Sequence, residues 1–321
     1  MNQQQDNIQS QATRNVRRVL VVGANSYIGD WFAKYAKLNI DIVDSYNQWK
    51  TTPFEGYDSI LYVAGIAHRS QRPRKHETNK EIQDLYFAIN RDLAIAVAKK
   101  AIASGVGQFI YLSSMSVYGL DEGVITSETI PTPHKNDFYG QSKHEAEAAL
   151  QTLFHTGTPH HNFTSNTTNT TSISAPNNPS LCILRPPMVY GPNCPGNFSR
   201  LVQLTKRLPL FPKIDNKRSM IYIENLCAFI AYVVENNCAG IYLPQNKEHI
   251  NTTNLVQTIA KILGKKMRTT RLLNPLVLLL SRAVSPVKKM FGSLVYKHCK
   301  QVNTIDMIGF EESIALSVND D

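Results

Sequence analysis

The sequence predicts an α/β fold built on a doubly wound parallel sheet. Three observations predict it. Short apolar runs alternate with amphipathic stretches in the order strand, helix, strand, strand, helix, strand through residue 114. The first strand runs into a glycine-rich turn that opens a helix. A tyrosine and a lysine, four residues apart, open a later helix about two dozen residues after a serine-ended strand.

Arg18-Val19-Leu20-Val21-Val22 reads as a short, fully buried strand. Gly23-Ala24-Asn25-Ser26-Tyr27-Ile28-Gly29 follows, then a helical stretch through Trp31, Phe32, Tyr35 and Leu38. Strand, tight turn and helix N-terminus make a cradle for a pyrophosphate. Gly23 permits the turn and Gly29 permits close packing of helix on strand. The helix dipole and the free N–H groups of the turn, Asn25 to Ile28, face the phosphates. Ile40 to Asp44 reads as the second strand, with Asp44 at its end. A carboxylate there suits the adenosine ribose hydroxyls and repels a 2′-phosphate, so NAD(H) is preferred, with NADP(H) tolerated.

The stretch from Glu77 to Ser104 reads as one long amphipathic helix, with Ile82, Leu85, Ile89, Leu93 and Val97 at helical spacing. Phe109-Ile110-Tyr111-Leu112 is the next buried strand, ending in Ser113-Ser114-Met115-Ser116-Val117-Tyr118-Gly119. Three Y-x-x-x-K pairs occur: Tyr46/Lys50, Tyr139/Lys143 and Tyr296/Lys300. Only the middle one follows a serine-ended strand and precedes a clean helical run, Glu145 to Leu150, so its two side chains share one helix face. The other two read as surface residues.

Composition limits the alternatives. At 321 residues the chain can bury a large core. No apolar run reaches the roughly 18–20 residues of a membrane span; the longest candidate is Pro275 to Leu280. The polar N-terminus, residues 1–15, lacks a signal-peptide core and reads as a disordered tail. Five scattered cysteines and nine histidines show no ligand spacing, so neither metal nor disulfide framework is expected. Residues 155–180 are a low-complexity polar loop, and the N-x-S/T sequons at Asn162, Asn166, Asn169, Asn197 and Asn251 read as accidents of composition. The net charge of +9 gathers at Arg69 to Lys75, Lys261 to Arg271 and Arg282 to Lys300. Without a recognition motif or stacking aromatics, nucleic acid is not the expected partner. Such a field attracts a dianionic sugar nucleotide, and the C-terminal basic and apolar segment suits an anionic membrane surface. Solvated helix faces account for the same clusters.

From about Val16 to Gly264 the chain resembles the extended short-chain dehydrogenase/reductases, in the NAD-dependent epimerase/dehydratase group that acts on nucleotide sugars. The landmarks are Gly23 to Gly29, Asp58 to Gly65 (the fourth strand of the family pattern), Asn90, Ser114, Tyr139/Lys143, Leu184-Arg185-Pro186-Pro187-Met188-Val189-Tyr190-Gly191 and Arg218 to Asn225. The family turn is usually G-x-x-G-x-x-G. Here the middle position is Ser26, whose Cβ crowds the pyrophosphate and whose hydroxyl is able to donate to it.

The resemblance implies a Rossmann-type domain over residues 16–191 and a smaller substrate-binding lobe over 192–321, with about 218–234 returning to the first domain. It implies Tyr139 as acid–base group, Ser114 as the hydrogen-bond partner of the reacting oxygen, and Lys143 on the nicotinamide ribose. A nearby ammonium and a positively charged nicotinamide would favour the tyrosinate over its ordinary pKa of about 10. Ala64, Gly65 and Pro186 would line the cofactor. Arg218, Asn197 and Ser116 would contact a UDP-sugar; Asn90 would either line the site or hold structure. In the related 4,6-dehydratases an Asp-Glu pair follows the catalytic hydroxyl residue; here Met115 and Ser116 stand there, which argues against dehydration. A 4-epimerase or a 4-keto reductase remains. The run Pro186-Pro187-Met188, with Val63 to His68, leans toward reductases of UDP-4-keto-6-deoxy-N-acetylhexosamines that serve surface polysaccharide synthesis. A cytoplasmic homodimer, peripheral at the membrane at most, is the accompanying expectation. A non-catalytic dinucleotide-binding regulator is the rival reading; the complete Ser/Tyr/Lys set opposes it.

Overall fold

The computed structural model describes residues 16–67, 78–155, 179–283, 285–297 and 305–318. The N-terminal 15 residues, His68, the basic run Arg69 to Lys75, the middle of the polar loop, Cys299 and Lys300 lie outside the described residues.

The centre is a six-stranded parallel sheet. Its strands are β1 (Arg18–Val22), β2 (Asn39–Val43), β3 (Ser59–Tyr62), β4 (Gln108–Leu112), β6 (Ser180–Leu184) and β10 (Gly240–Tyr242), in the spatial order β10-β6-β4-β3-β1-β2. The stretch expected as the family's fourth strand is thus the third in this chain. The central strands β1, β3, β4 and β6 are nearly continuous apolar runs because both faces are covered, whereas the edge strand β2 carries Asn39 and Asp41. Val19, Val21, Leu61, Ile110, Leu112 and Leu184 face one core. The alternate residues Leu20, Val22, Ile60, Tyr62, Phe109, Tyr111 and Ile183 face the other. The chain leaves β1 to one side for β2 and to the other for β3, so a crevice opens at the carboxyl ends of β1 and β3.

Helices α1 (Tyr27–Tyr35) and α2 (Gln48–Thr51) flank β2 in the chain. The stretch expected as one helix is α3 (Asn79–Phe87), a π-turn over Ala88–Asp92, and α4 (Leu93–Ala103). The wider turn has a local cause. The hydroxyls of Tyr62 and Tyr111 donate to the carbonyls of Ile89 and Asn90, at 2.8 and 2.9 Å. Those carbonyls find partners in the sheet beneath them. Helix α5 (Phe138–His155) packs against this segment, with Ala146 and Leu150 buried in the second core.

The smaller lobe is built from short parallel pairs. They are β7 (Met188–Tyr190) with β9 (Met220–Tyr222), β8 (Leu210–Pro212) with β11 (Arg268–Thr270), and β5 (Gly123–Ile125) with β12 (Leu294–Tyr296). Around them lie α6 (Asn197–Arg207), α8 (Thr252–Ile262), α9 (Asn274–Ala283), α10 (Ser285–Phe291) and α11 (Phe310–Val318). The domain limits differ from the expected ones in two ways. The return to the sheet runs through α7 (Ile223–Glu235), packed on α1, to β10 at residue 242. And β5, from the first half of the chain, pairs in the lobe with β12. Sequence order hides both, because parallel partners come from distant segments.

Candidate active site

A cavity of about 670 Å³ opens over the carboxyl ends of β1, β3, β4 and β6, between sheet and lobe. Ser26, Tyr27, Ile28, Gly65, Ser114, Ser116, Tyr139, Lys143, Pro186, Asn197 and Arg218 all line it. Segments some 190 residues apart in the chain therefore meet around one space. Gly23, Asn25, Gly29, Asp44, Ala64 and Asn90 are not on its wall.

The serine-ended strand and the tyrosine helix meet directly. Ser114 is extended (φ −160°, ψ 154°) and caps the 3-10 turn Met115–Tyr118, its Oγ accepting from the Ser116 N–H at 3.1 Å. The Met115 N–H donates to the Pro186 carbonyl at 2.9 Å, which ties the turn to the segment after β6. Helix α5 comes against this turn at Gly140. A Cβ there would stand 2.8 Å from the Ser116 carbonyl oxygen, so only glycine allows the approach. The Asp137 carboxylate accepts from the Gly140 N–H at 3.2 Å and holds the first turn of the helix. Tyr139 and Ser114 thereby line the same cavity, with Ser114 Oγ donating to Ser116 Oγ at 3.3 Å.

The electrostatics differ from the expectation. Burial pushes the Tyr139 phenol up to about 12, and the Ser114 hydroxyl only partly offsets this. Burial pushes the Lys143 ammonium down to about 7, with Glu147 opposing. The lysine does not hold the tyrosinate: its Nζ donates to the Leu112 carbonyl at 2.8 Å and sits 4.7 Å from the centre of the Tyr111 ring. A Cβ on Gly65 would lie 3.2 Å from that Nζ and 3.0 Å from Asn90 Oδ1, so this glycine keeps the pocket floor open.

Asn90 lies behind that floor. It is fully buried in the π-turn; its Oδ1 accepts from the Ile66 N–H at 2.8 Å and its Nδ2 donates to Ser142 Oγ at 3.0 Å. With its amide so engaged it holds the loop after β3, and a contact with substrate is not available to it.

The residues present fit a dinucleotide. Gly23 has φ +136°, and a Cβ would stand 2.8 Å from the Ala64 backbone nitrogen, so β1 and β3 close together only with glycine there. Gly29 is equally tight, with a Cβ 3.0 Å from the Gly23 carbonyl oxygen. Ser26 is the N-cap of α1, its Oγ accepting from the Gly29 N–H at 3.2 Å with ordinary φ of −93°. The backbone there needs no glycine, and the hydroxyl proton stays available to a phosphate. Asn25 takes the left-handed conformation (φ 63°), and its N–H donates to Asp30. The Tyr27 hydroxyl is buried without a partner beside the same cavity. Asp44 accepts from the N–H groups of Tyr46, Asn47 and Gln48 on one oxygen, which holds its carboxyl below the usual range. It is an oriented anion at the end of β2.

Arg218 lines the cavity while its guanidinium donates to the Gly292 carbonyl at 2.9 Å. Four further polar residues on the wall escaped the sequence reading: Asp121, His134, Asp137 and Lys289. Asp137, two residues before Tyr139, had a signal as a helix-capping acid; the others arrive through loops and the lobe and carried none. Behind the site, Arg185 and Glu147 form a buried ion pair at 2.6 Å, and Arg185 also donates to the Tyr118 hydroxyl at 2.8 Å.

The model of the NAD dependent epimerase/dehydratase family matches residues 19–244. The chain belongs to this family. It is an NAD-dependent enzyme of the extended short-chain dehydrogenase/reductase type. It is 27% identical over 276 residues to a UDP-glucose 4-epimerase of Vibrio cholerae, covering 78% of this chain and 76% of that protein. It is 26% identical over 245 residues to the N-acetyl-alpha-D-glucosaminyl-diphospho-ditrans,octacis-undecaprenol 4-epimerase of Escherichia coli O157:H7, covering 74% and 64%. Among solved structures, a UDP-glucuronic acid 4-epimerase of Bacillus cereus with NAD superposes with a TM-score of 0.65 at 16% identity, covering 94% of this chain and 98% of that one. A dTDP-4-dehydrorhamnose reductase of Bacillus anthracis with NADP gives 0.66 at 16%, covering 94% and 97%. These structural likenesses establish the shared fold.

Proposed function

We propose that this enzyme carries out oxidation and reduction at C4 of a UDP-linked sugar, with epimerisation at C4 as its net reaction. The observation that carries this reading is that Ser114, Tyr139 and Lys143, from the turn after β4 and from α5, line one cavity together with Arg218. The two 4-epimerase relatives favour epimerisation over the 4-keto reduction to which Pro186-Pro187-Met188 leans.

Bound NAD⁺ supplies a hydride acceptor and a positive charge, and NADH the donor. Tyr139 takes the proton from the C4 hydroxyl and returns one to the same oxygen. Ser114, on the same cavity wall, donates to that oxygen and holds it in line. Lys143 offers its Nζ to the nicotinamide ribose, and Gly23 to Gly29 hold the pyrophosphate. Arg218 and Asn197 bind the sugar-nucleotide diphosphate; a guanidinium suits two phosphate oxygens at once. Met115 and Ser116 offer no carboxyl where the 4,6-dehydratases carry their Asp-Glu pair, which favours redox chemistry on one carbon over elimination of water.

The first experiment is to denature purified protein and weigh the released dinucleotide, then follow UDP-glucose and UDP-N-acetylglucosamine by NMR without added cofactor. An epimerase regenerates its cofactor each cycle, so near-stoichiometric NAD and inversion at C4 are expected. Empty protein that oxidises NADH only with a UDP-4-keto sugar assigns reduction instead. Neither activity, with wild-type folding, overturns the reading.

A further inference from the structure

Helix α9 leaves a leucine face in solvent. Leu276, Leu278, Leu279 and Leu280 are 53%, 63%, 63% and 41% exposed, and Leu272 just before it is 89% exposed. Single exposed leucines are ordinary, but Leu276, Leu279 and Leu280 share one side of the helix at helical spacing, with Leu272 one turn before them; Leu278 lies on the far side. The segment itself is basic. Residues 261–300 contain ten lysines and arginines and no aspartate or glutamate. Arg268 and Arg271 are exposed before the helix, and Lys289 is exposed on α10, which packs against α9; its neighbour Lys288 pairs with Asp121 at 3.2 Å. Lys289 also lines the catalytic cavity. An apolar helix face ringed by cations is the pattern that lies in a lipid interface.

We infer that α9 and α10 dock the enzyme on an anionic phospholipid surface, with the leucines in the headgroup boundary, the basic residues on the phosphates and the mouth of the catalytic cavity beside the bilayer. The net basic charge of residues 261–300 favours an anionic lipid surface over a second copy of this chain, which is itself at +9. Resting on the C4 reading above, docking also extends the substrate class to a sugar diphosphate esterified to a membrane lipid.

Flotation tests the docking without any substrate. Full-length protein is mixed with phosphatidylcholine vesicles, with or without about one-third phosphatidylglycerol. Wild type is expected to float with the anionic vesicles and to be released by salt. Leu276→Ser with Leu279→Ser, and separately Arg268→Glu with Arg271→Glu, should weaken binding roughly tenfold or more while turnover of soluble UDP-sugar is unchanged. No flotation, or variants that float like wild type, overturns the inference. So does a concentration-dependent dimer in ultracentrifugation that the leucine variant dissolves, since the face then belongs to a second copy. In vesicles carrying a polyprenyl diphosphate-linked N-acetylhexosamine, the variants should lose turnover that wild type shows. Loss of flotation alone removes docking; absence of turnover on soluble and lipid-borne sugars alike removes the C4 reading.

Discussion

At the scale of single residues, the site is organised by burial more than by charge pairing. Tyr139 and Lys143 are both shifted toward neutrality by desolvation. Tyr139→Phe is expected to lower turnover by about 10²–10⁴-fold while dinucleotide binding, measured by fluorescence titration, stays near wild type. A variant that retains activity would remove Tyr139 from its role. Lys143 has a pH consequence. Its folded pKa of about 7 lies below the value near 10.4 of an unfolded lysine. Between these values the unfolded chain holds the proton and the folded one does not, so this group makes stability rise with pH from about 7 to 10. Lys143→Met removes the effect. Its gain in melting temperature over wild type should be largest at pH 6–7 and shrink toward pH 10; a constant difference would contradict the depressed pKa. Arg218→Ala should weaken UDP-sugar binding far more than dinucleotide binding, as read by calorimetry with each ligand.

At the scale of elements, Ser26 shows how a departure from a family pattern is absorbed. The glycine usual at this position is replaced by the N-cap of α1, whose hydroxyl satisfies the Gly29 N–H. Ser26→Ala should cost about 1 kcal/mol in chemical denaturation, and Ser26→Gly only a few tenths. Equal costs would show that the cap contributes little. Gly140 is the matching constraint on α5. The strand and helix cores, the glycine turn and the Tyr139/Lys143 face were legible because they depend on local periodicity and turn chemistry. The π-turn around Asn90 was not. It depends on Tyr62 and Tyr111 reaching up from two strands, and that contact leaves no mark on helical spacing.

At the scale of the whole molecule, the Arg185–Glu147 pair joins the end of β6, helix α5 and the lobe. Arg185 binds Glu147 and Tyr118 through its side chain, and its carbonyl accepts from the Tyr296 hydroxyl of β12 at 2.8 Å. Glu147→Ala leaves a buried guanidinium without its counter-ion and should cost about 3–5 kcal/mol. The double change Glu147→Leu with Arg185→Met should recover much of that loss in denaturant unfolding, since an apolar pair of similar volume needs no desolvation of charge. If the double variant is no better than the single one, the tie serves as a hydrogen-bond junction rather than an ion pair.

The sequence by itself determined the parallel α/β core, the glycine turn from β1 into α1, the acid at the end of β2 and the meeting of Ser114, Tyr139 and Lys143. Each is encoded by residue type at fixed spacing, and local backbone geometry enforces it. Only the tertiary structure decided where the lobe begins, which strand closes the sheet, that Asn90 stands behind the pocket, and that Asp121, His134 and Lys289 stand on its wall. It also decided the protonation balance of Tyr139 and Lys143. Those features depend on partners tens to hundreds of residues away and on how much water the packing removes, and neither quantity has a period in the sequence.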